Sequence, residues 1–264
     1  MKRTITLLAI AVFVIACTKV PITGRRQLNL LPESEMMTMS LAAYQDFLKD
    51  TPPLPSSNAN VQMVQRIGKR LSVAATKYLT ENGAADRVEA FNWEFNVVED
   101  PTVNAWCMPG GKVVVYTGIL PVTQNETGLA LVMGHEIAHA IARHGNERMS
   151  QSLAVQGVGM GLSVFASQKP SLAKDLLLQS YGIGTGLGML AYSRNHESEA
   201  DKMGLVFMAM AGYDPRSAPD FWKRMAAQSG AKPPELLSTH PSDERRIADL
   251  EAYMPEAMKY YKPQ

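Results

Sequence analysis

Apolar residues recur at helical spacing in the first third of the chain and again near its end. Pro32 and the acidic residues after it open one predicted helix, over residues 32–48, and a second helix follows over residues 61–78. The proline-rich segment 51–60 separates the two helices. A further predicted helix begins at Asp214. The pattern therefore predicts a mainly helical protein.

Two segments between these helices alternate between apolar and polar positions, as half-buried strands do. They are residues 92–98 and 112–117, which are rich in Val, Phe, Trp and Tyr. Pro109, Gly110 and Gly111 supply the chemistry of a turn. We therefore expect this turn to join the two segments in a small antiparallel sheet. An exposed edge of such a sheet can bind an extended peptide through backbone hydrogen bonds.

The segment from residue 127 to residue 141 is almost wholly apolar, yet it contains the motif HEIAH, with His135, Glu136 and His139. On a helix, histidines four residues apart lie on one face, and their neutral nitrogens bind zinc at about 2.0 to 2.1 Å. Chance produces such a motif in roughly half a per cent of sequences of this composition. The alternative, a core helix that happens to carry histidines, would bury them without evident partners. The motif predicts one zinc ion per chain, with Glu136 as the general base.

A catalytic zinc site needs a third protein ligand and keeps a fourth position open. His144 lies about 140° around a helix from His139, so we interpret it as a polar residue near a helix end and not as a ligand. The acidic segment 192–201 offers more candidates, of which Glu197 and Asp201 share a helical face. We prefer Glu197 as the ligand, with Asp201 accepting a hydrogen bond from a ligating histidine. The alternative is an ordinary acidic helix start.

These two motifs together resemble a known family. HEIAH followed by Glu-x-x-x-Asp within SRNHESEADKMG is similar to the zinc metalloproteases that include the CAAX prenyl protease, HtpX and BepA (metallopeptidase family forty-eight, gluzincin type). Residues 104–105 and 109–120 resemble the strand region before the family's zinc helix. Residues 18–31, TKVPITGRRQLNLL, resemble the start of its secreted bacterial lipoproteins. The resemblance extends over residues 17–250.

The resemblance implies roles for particular residues. It implies that His135, His139 and Glu197 bind the zinc ion, that Glu136 is the catalytic base, and that Asp201 orients a ligand. No position in the two motifs departs from the family pattern.

The resemblance also implies a substrate-binding edge strand and a regulatory histidine. The edge would lie at residues 104–108, with Asn104 and Ala105 in contact with the substrate. A turn residue bonded to its own backbone is the alternative for Asn104. His240, in a Thr-His-Pro loop, resembles a histidine that occupies the open zinc position and inhibits BepA-type members. The alternative is an exposed histidine before a helix capped by Ser242.

The first sixteen residues have the pattern of a targeting signal. Two basic residues precede an apolar stretch, residues 5–16, which is too short to span a bilayer. The sequence that follows resembles the bacterial lipobox, with Cys17 as the lipidated residue and Thr18 typical of outer-membrane sorting. We expect residues 1–16 to be a signal peptide and residues 17–264 to be periplasmic and anchored to the outer membrane. The alternative is an ordinary signal peptide in which Cys17 has no role.

Composition and charge exclude other classes of protein. The chain has 26 basic and 25 acidic residues, a net charge of +1, and these positions are scattered, so no nucleic-acid-binding surface is expected. Hydrophobic residues make up 46% of the 264 residues, which is enough for a substantial core. Once Cys17 is lipidated, Cys107 is the remaining cysteine and cannot form an internal disulfide. We interpret Cys107 as a buried thiol.

The segment 153–190 has many small residues and few charges. Its apolar runs are shorter than a membrane span and are interrupted by polar residues or proline. We interpret it as two tightly packed helices that form a lid over the cleft, or a surface for unfolded substrate or lipid. Ordinary core helices are the alternative.

Together these patterns predict an α+β, mainly helical fold: a zincin-like metalloprotease domain with a small antiparallel sheet and an HExxH active-site helix. Helices at residues 30–80 would wrap around a catalytic core at residues 90–250. The expected protein is a zinc metalloendopeptidase of the cell envelope that cleaves unfolded or misassembled proteins. Its expected partners are protein or peptide substrates, the membrane and envelope assembly machinery.

Two other functions are weighed against this prediction. One is an envelope chaperone or assembly factor in which His240 is a permanent fourth ligand of a closed, latent zinc site. The other is an intramembrane prenyl-protein protease, which would need several spans of about 20 apolar residues. The sequence lacks such spans.

Overall fold

The computed structural model describes residues 17–155, 169–183, 192–227, 235–240 and 244–263. This part of the chain is mainly helical with small sheets, which confirms the predicted fold class. In chain order the strands are β1 (Cys17–Lys19), β2 (Arg26–Leu28), β3 (Glu94–Val98), β4 (Ala105–Met108) and β5 (Lys112–Tyr116). The α-helices are α1 (Glu33–Asp50), α2 (Ala59–Glu81), α3 (Leu120–Thr123), α4 (Glu126–Ile141), α5 (His144–Val155), α6 (Pro170–Ser180), α7 (Arg194–Met210), α8 (Ala218–Ala227), α9 (Glu235–Thr239) and α10 (Glu244–Met258). Short 3-10 helices lie at Ala85–Arg87, Thr117–Ile119 and Pro215–Ser217.

The central sheet is mixed, with the strand order β3-β5-β4. β4 and β5 form an antiparallel hairpin, and the turn between them contains Gly110 and Gly111 at φ values of 83° and 80°, which favour glycine. β3 pairs with β5 in parallel. The predicted segments 92–98 and 112–117 are therefore neighbours, but their antiparallel pairing and the turn between them were wrong. The turn that contains Gly110 and Gly111 instead joins β4 to β5. The residues of β4 are all buried, so this strand lacks the alternation of apolar and polar residues by which a half-buried strand is predicted.

The sheet separates two apolar clusters, which is why β5 is buried on both faces. Val113 and Val115 face the larger cluster, formed with α2, α4, α7 and α8. Val114 faces the smaller cluster, formed with α1, α5 and α6, and Trp106 of β4 lies beside it. The two helices predicted before the sheet, α1 and α2, therefore lie on opposite sides of it.

α4, which carries the histidine motif, is buried from Gly128 to Ile141. The side chain of Asn125 caps its start by accepting a hydrogen bond from the backbone nitrogen of Gly128 at 3.0 Å. α4 contacts β4, α2 and, most extensively, α7. Between α4 and α7, a Cβ atom added to Gly204 would lie 3.0 Å from the backbone nitrogen of His135. The lack of a side chain at Gly204 therefore sets the distance between the histidine motif and the acidic motif.

The strands β1 and β2 form an antiparallel N-terminal hairpin that packs against the rest of the protein. Val20, between the two strands, is part of the larger apolar cluster. The buried Arg87 donates a hydrogen bond to the carbonyl of Lys19, and Asn146 donates one to the carbonyl of Leu31 at 2.9 Å. These contacts hold the start of the described chain against α5 and the 3-10 helix at Ala85–Arg87.

Several predictions fall outside the described residues. They concern the signal peptide at residues 1–16, the parts of the small-residue segment at 156–168 and 184–191, and Ser242 as a helix cap. Within the described ranges, no helix is long and apolar enough to cross a membrane.

We expect Gly204→Ala to lower the free energy of unfolding by about 1–3 kcal/mol, because the new methyl group would press on backbone atoms of α4. Alanine is otherwise the better helix former by about 1 kcal/mol, so a net loss is attributable to this contact. Urea denaturation measures the change. Gln65→Ala, at an exposed position of α2, is the control. If Gly204→Ala is as stable as the wild type or more stable, α4 and α7 can move apart without lowering the free energy of unfolding.

Candidate metal centre

Four side chains from distant parts of the chain converge on one point. They are His135 and His139 of α4, Glu197 of α7, and His240 directly after α9, and one ligand atom of each lies within 4.8 Å of the others. The Nε2 atoms of His135 and His139 are 3.0 Å apart. Nδ1 of His240 lies 3.2 Å from Nε2 of His135 and 3.0 Å from Oε1 of Glu197.

This group of atoms fits a metal ion. All four residues are at most 4% exposed. Two neutral imidazoles whose ring nitrogens face each other at 3.0 Å present lone pairs to one another unless a proton or a metal ion lies between them. Imidazole nitrogens with one carboxylate are ligands that zinc prefers. The group can therefore hold one zinc ion.

Asp201 lies directly behind His135. Nδ1 of His135 is 2.9 Å from Oδ1 of Asp201, so this ring can donate its Nδ1 proton to the carboxylate and keep Nε2 free for the metal. Burial lowers the pKa of His135, but Asp201 and Glu197 outweigh it and raise the pKa to about 9. Asp201 thus lies where the sequence analysis expected an orienting carboxylate.

Arg246 of α10 joins the two acidic residues of α7, and sequence reasoning missed it. Its guanidinium donates two hydrogen bonds to Asp201, at 2.7 and 2.8 Å, and lies 2.7 Å from Oε2 of Glu197. It also stacks on the ring of Trp222 at 3.5 Å. Burial raises the pKa of Glu197, but His240 and Arg246 outweigh it and hold the pKa well below its usual range. No spacing rule indicates Arg246, because an arginine near a helix start is usually exposed.

Glu136 lies beside the ligand group. Burial raises the pKa of its carboxyl group, and its Oε1 atom has no hydrogen-bond partner among the described residues. The nearest imidazole nitrogen, Nε2 of His240, is 3.6 Å from Oε1, which is beyond hydrogen-bond reach. A carboxyl group whose pKa is raised is better suited to accept a proton and pass it on during a reaction.

His240 is held in place by its neighbours. Its backbone nitrogen donates to the carbonyl of Leu236, and the nitrogen of Leu236 donates to the carbonyl of Val103, just before β4. The ring of Tyr192 packs against His139 and His240, with centroids 4.0 and 4.8 Å away. The residues before His240 therefore lie against the start of the edge strand.

Asn104 and Ala105 lie at the start of β4, which is an edge strand next to α4. The nitrogen of Tyr116 donates to the carbonyl of Asn104, so by antiparallel alternation Ala105 and Cys107 direct their backbone groups away from β5. The side chain of Asn104 accepts a hydrogen bond from the nitrogen of Ala105 at 2.9 Å. Asn104 therefore forms the local hydrogen bond expected of a turn residue and also lies beside the edge strand. The thiol of Cys107 is buried, as predicted.

A second buried network adjoins the first, and sequence reasoning did not find it. His144 begins α5, so it lies near a helix end as expected, but it is completely buried and contacts His139. It also contacts Glu199, which the guanidinium of Arg25 links to Glu147. Burial lowers the pKa of His144 to about 4, so this ring is neutral at pH 7. The turn between α4 and α5 brings His144 back against His139, which helical spacing alone does not reveal.

Comparison with known proteins agrees with this geometry. Residues 60–254 match the sequence profile of Peptidase family M48. The chain belongs to this family. It is 37% identical over 242 residues to "Mitochondrial metalloendopeptidase OMA1" of Schizosaccharomyces pombe, a match that covers 90% of this chain and 66% of that protein. The match confirms membership of metallopeptidase family forty-eight and the predicted zinc cofactor, and it classifies the chain as a metallopeptidase.

Two further relatives differ in cellular setting and in length. The chain is 31% identical over 253 residues to "Metalloendopeptidase OMA1, mitochondrial" of Homo sapiens, covering 90% of this chain and 46% of that protein. It is 30% identical over 208 residues to "Beta-barrel assembly-enhancing protease" of Escherichia coli strain K12, covering 76% and 40%. The chain therefore spans less than half the length of these two relatives. The bacterial lipoprotein subgroup and the likeness to the CAAX prenyl protease and HtpX stay predictions.

We expect the free energy of unfolding of Glu147→Gln to depend less on pH in the acidic range than that of the wild type. Burial raises the pKa of Glu147, but Arg25 and His196 outweigh it and lower the pKa to about 2 in the folded protein. The ionised carboxylate of Glu147 therefore stabilises the folded protein fully above the unfolded pKa of about 4.5, and this stabilisation is lost as the pH falls towards 2. Urea denaturation measures the free energy of unfolding at several values from pH 5 to pH 2. Its decrease over this range should be smaller in Glu147→Gln than in the wild type by on the order of 2 kcal/mol.

Glu251→Gln, an exposed substitution in α10, is the control and should keep the wild-type slope. Parallel profiles of the wild type and Glu147→Gln would refute a charge-stabilised Glu147.

Proposed function

We propose that this protein is a zinc metalloendopeptidase in which His135, His139 and Glu197 bind the metal and Glu136 is the general base. The observation that carries the proposal is the convergence of the three ligand atoms beside a buried carboxyl group whose pKa is raised. The match to family M48 over residues 60–254 supports the same reaction.

In the proposed reaction each side chain has a defined task. Zinc, when bound, polarises the scissile carbonyl and lowers the pKa of the attacking water. Glu136 takes a proton from this water and passes it to the leaving amine, which its raised pKa favours. Asp201 and Arg246 keep the ring of His135 in the tautomer that offers Nε2 to the metal.

The substrate would bind as an extended strand along β4. Ala105 and Cys107 direct their backbone groups towards the outer edge of the sheet, which supports backbone pairing with little dependence on sequence. This edge is buried in the structure, so substrate would have to displace the residues that cover it. Asn104, at the same edge, would fix the start of the paired segment. Such a mode suits a protease that cleaves unfolded chains, because a folded protein presents few extended segments.

His240 would inhibit the enzyme by occupying the position that the substrate needs. With His240 the site has four protein ligands, which is the arrangement of a closed zinc site. The contact of Leu236 with Val103 also places this loop beside the proposed substrate strand. Substrate would have to displace His240 before cleavage.

We further propose that the enzyme acts in the cell envelope on unfolded or misassembled proteins. The basic and apolar pattern of residues 1–16 and the lipobox-like Cys17 support export and an outer-membrane anchor facing the periplasm. The similarity to an E. coli protease named for β-barrel assembly supports envelope assembly machinery as a partner. Other relatives are named as mitochondrial, so the proposed location rests on the first seventeen residues.

A second candidate function is an envelope chaperone with a latent zinc site. The position of His240 favours it, since a permanent fourth ligand would leave no place for substrate. The two candidates differ in whether the protein cleaves an unfolded substrate.

We expect Glu136→Gln to abolish cleavage of casein by the purified full-length protein in detergent while one zinc ion per chain is retained. The amide cannot accept the proton of the attacking water, so the rate should fall by at least about 100-fold. Cleavage is followed by gel electrophoresis and zinc by atomic emission. Glu251→Gln is the matched control and should keep wild-type activity.

Two outcomes would contradict the proposed protease. Activity that persists in Glu136→Gln would remove Glu136 from the mechanism. Zinc bound in both proteins with no cleavage in either would favour the chaperone.

We expect His240→Ala to raise the specific activity on casein several-fold, because the fourth position becomes free for substrate. The rate is measured per bound zinc, so that any loss of metal is separated from release of inhibition. Unchanged or lower activity per zinc would argue against an inhibitory role for His240.

A further inference from the structure

The two histidines of the zinc motif are oriented by different partners. His135 contacts the carboxylate of Asp201, whereas the outer nitrogen of His139 contacts another histidine. Nδ1 of His139 lies 2.9 Å from Nδ1 of His144, and Nε2 of His144 lies 3.0 Å from Oε2 of Glu199. The order of contacts is therefore Glu199, His144, His139 and then the metal position.

These contacts determine which ring nitrogens carry protons. A His139 that offers Nε2 to zinc carries its proton on Nδ1 and donates it to His144. Nδ1 of His144 must then be the acceptor, so its proton lies on Nε2 and is donated to Glu199. The opposite tautomer of His144 would bring two N–H groups to within 2.9 Å of each other. Glu199 therefore selects the tautomer of His144, and His144 selects that of His139.

Glu199 is in turn held by the N-terminal hairpin. Nε and Nη2 of Arg25 donate to the two oxygens of Glu199 at 2.8 and 3.0 Å, and the hydroxyl of Thr23 donates at 2.8 Å. Nη1 and Nη2 of Arg25 also donate to Glu147, at 2.9 and 2.7 Å. Glu147 accepts from His196 at 3.0 Å. One guanidinium thus orients two carboxylates that are almost fully buried.

We propose that Arg25 is a positioning residue for the zinc site and acts through Glu199 and His144 on the ligand His139. The inference rests on the proposed role of His139 as a zinc ligand. Lysine cannot replace Arg25 here, because a single ammonium lacks the planar fork that binds both carboxylates at once. The N-terminal hairpin is therefore part of the metal site, although it lies more than 100 residues before the motif.

The test is the zinc affinity of the full-length protein in detergent, measured by competition with a chromogenic chelator. Loss of an orienting partner of a metal-bound histidine weakens metal binding by about 10- to 100-fold. We expect a loss in this range for His144→Ala and a loss of about tenfold for Arg25→Ala. Arg26→Ala is the matched control, because the side chain of Arg26 is exposed on the same hairpin.

A double substitution separates the proposed route from a general effect on the fold. Once His144 is alanine, Arg25→Ala should cause little further loss of zinc affinity. Additive losses would overturn the proposal, since Arg25 would then act by another route. Cobalt substitution gives an independent readout. The visible spectrum of the cobalt protein should change in Arg25→Ala and stay unchanged in Arg26→Ala.

Wild-type zinc affinity and a wild-type cobalt spectrum in Arg25→Ala would overturn the proposal, even if the melting temperature fell. All affinities are measured where circular dichroism shows the zinc-free variants to be folded. If Arg25→Ala does not fold, Arg25→Lys takes its place under the same criteria. A wild type that binds zinc but does not cleave casein would contradict the proposed function and leave this inference standing. A wild type that binds no zinc would overturn both.

Discussion

The cost of burying charge governs the centre of this protein. α4 and α7 together bury the metal-ligand group, Glu136, Asp201 and Glu199, and an unpaired ion at such positions would cost several kcal/mol. Arg25 and Arg246 approach from opposite ends of the chain and pair with the carboxylates on α7. The N-terminal hairpin and α10 are therefore required by the electrostatics of the centre as well as by packing.

Close helix packing makes this convergence possible. Gly204 allows α7 to lie against α4 so closely that a single methyl group would touch the backbone of His135. At that separation Glu197 reaches His135 and His139 across the interface, with oxygen to nitrogen distances of 3.5 and 3.3 Å. A wider spacing would leave the carboxylate unable to share a metal ion with both rings, since metal ligands tolerate displacements of only a few tenths of an ångström.

The two zinc-motif histidines are fixed from opposite sides. Asp201 and Arg246 orient His135, and the chain of contacts through His144 orients His139. Because each ring is held at its outer nitrogen, both can offer Nε2 to one point without rotating when substrate enters. The loop of His240, for which an inhibitory role is proposed, is attached to the rest of the site by backbone hydrogen bonds and ring packing.

The sequence by itself determined the features that depend on short spacing. Four residues on one helix place His135 beside His139, and Glu197 and Asp201 share a face for the same reason. These local patterns also sufficed to identify the family and its metal. Tertiary structure decided the parallel pairing of β3 with β5, the burial of His144 and Arg246, and the partial burial of Arg25. From the sequence alone, a charged side chain is predicted to be exposed. Its burial depends on partners that lie tens to hundreds of residues away along the chain. Only folding brings those partners within hydrogen-bond distance.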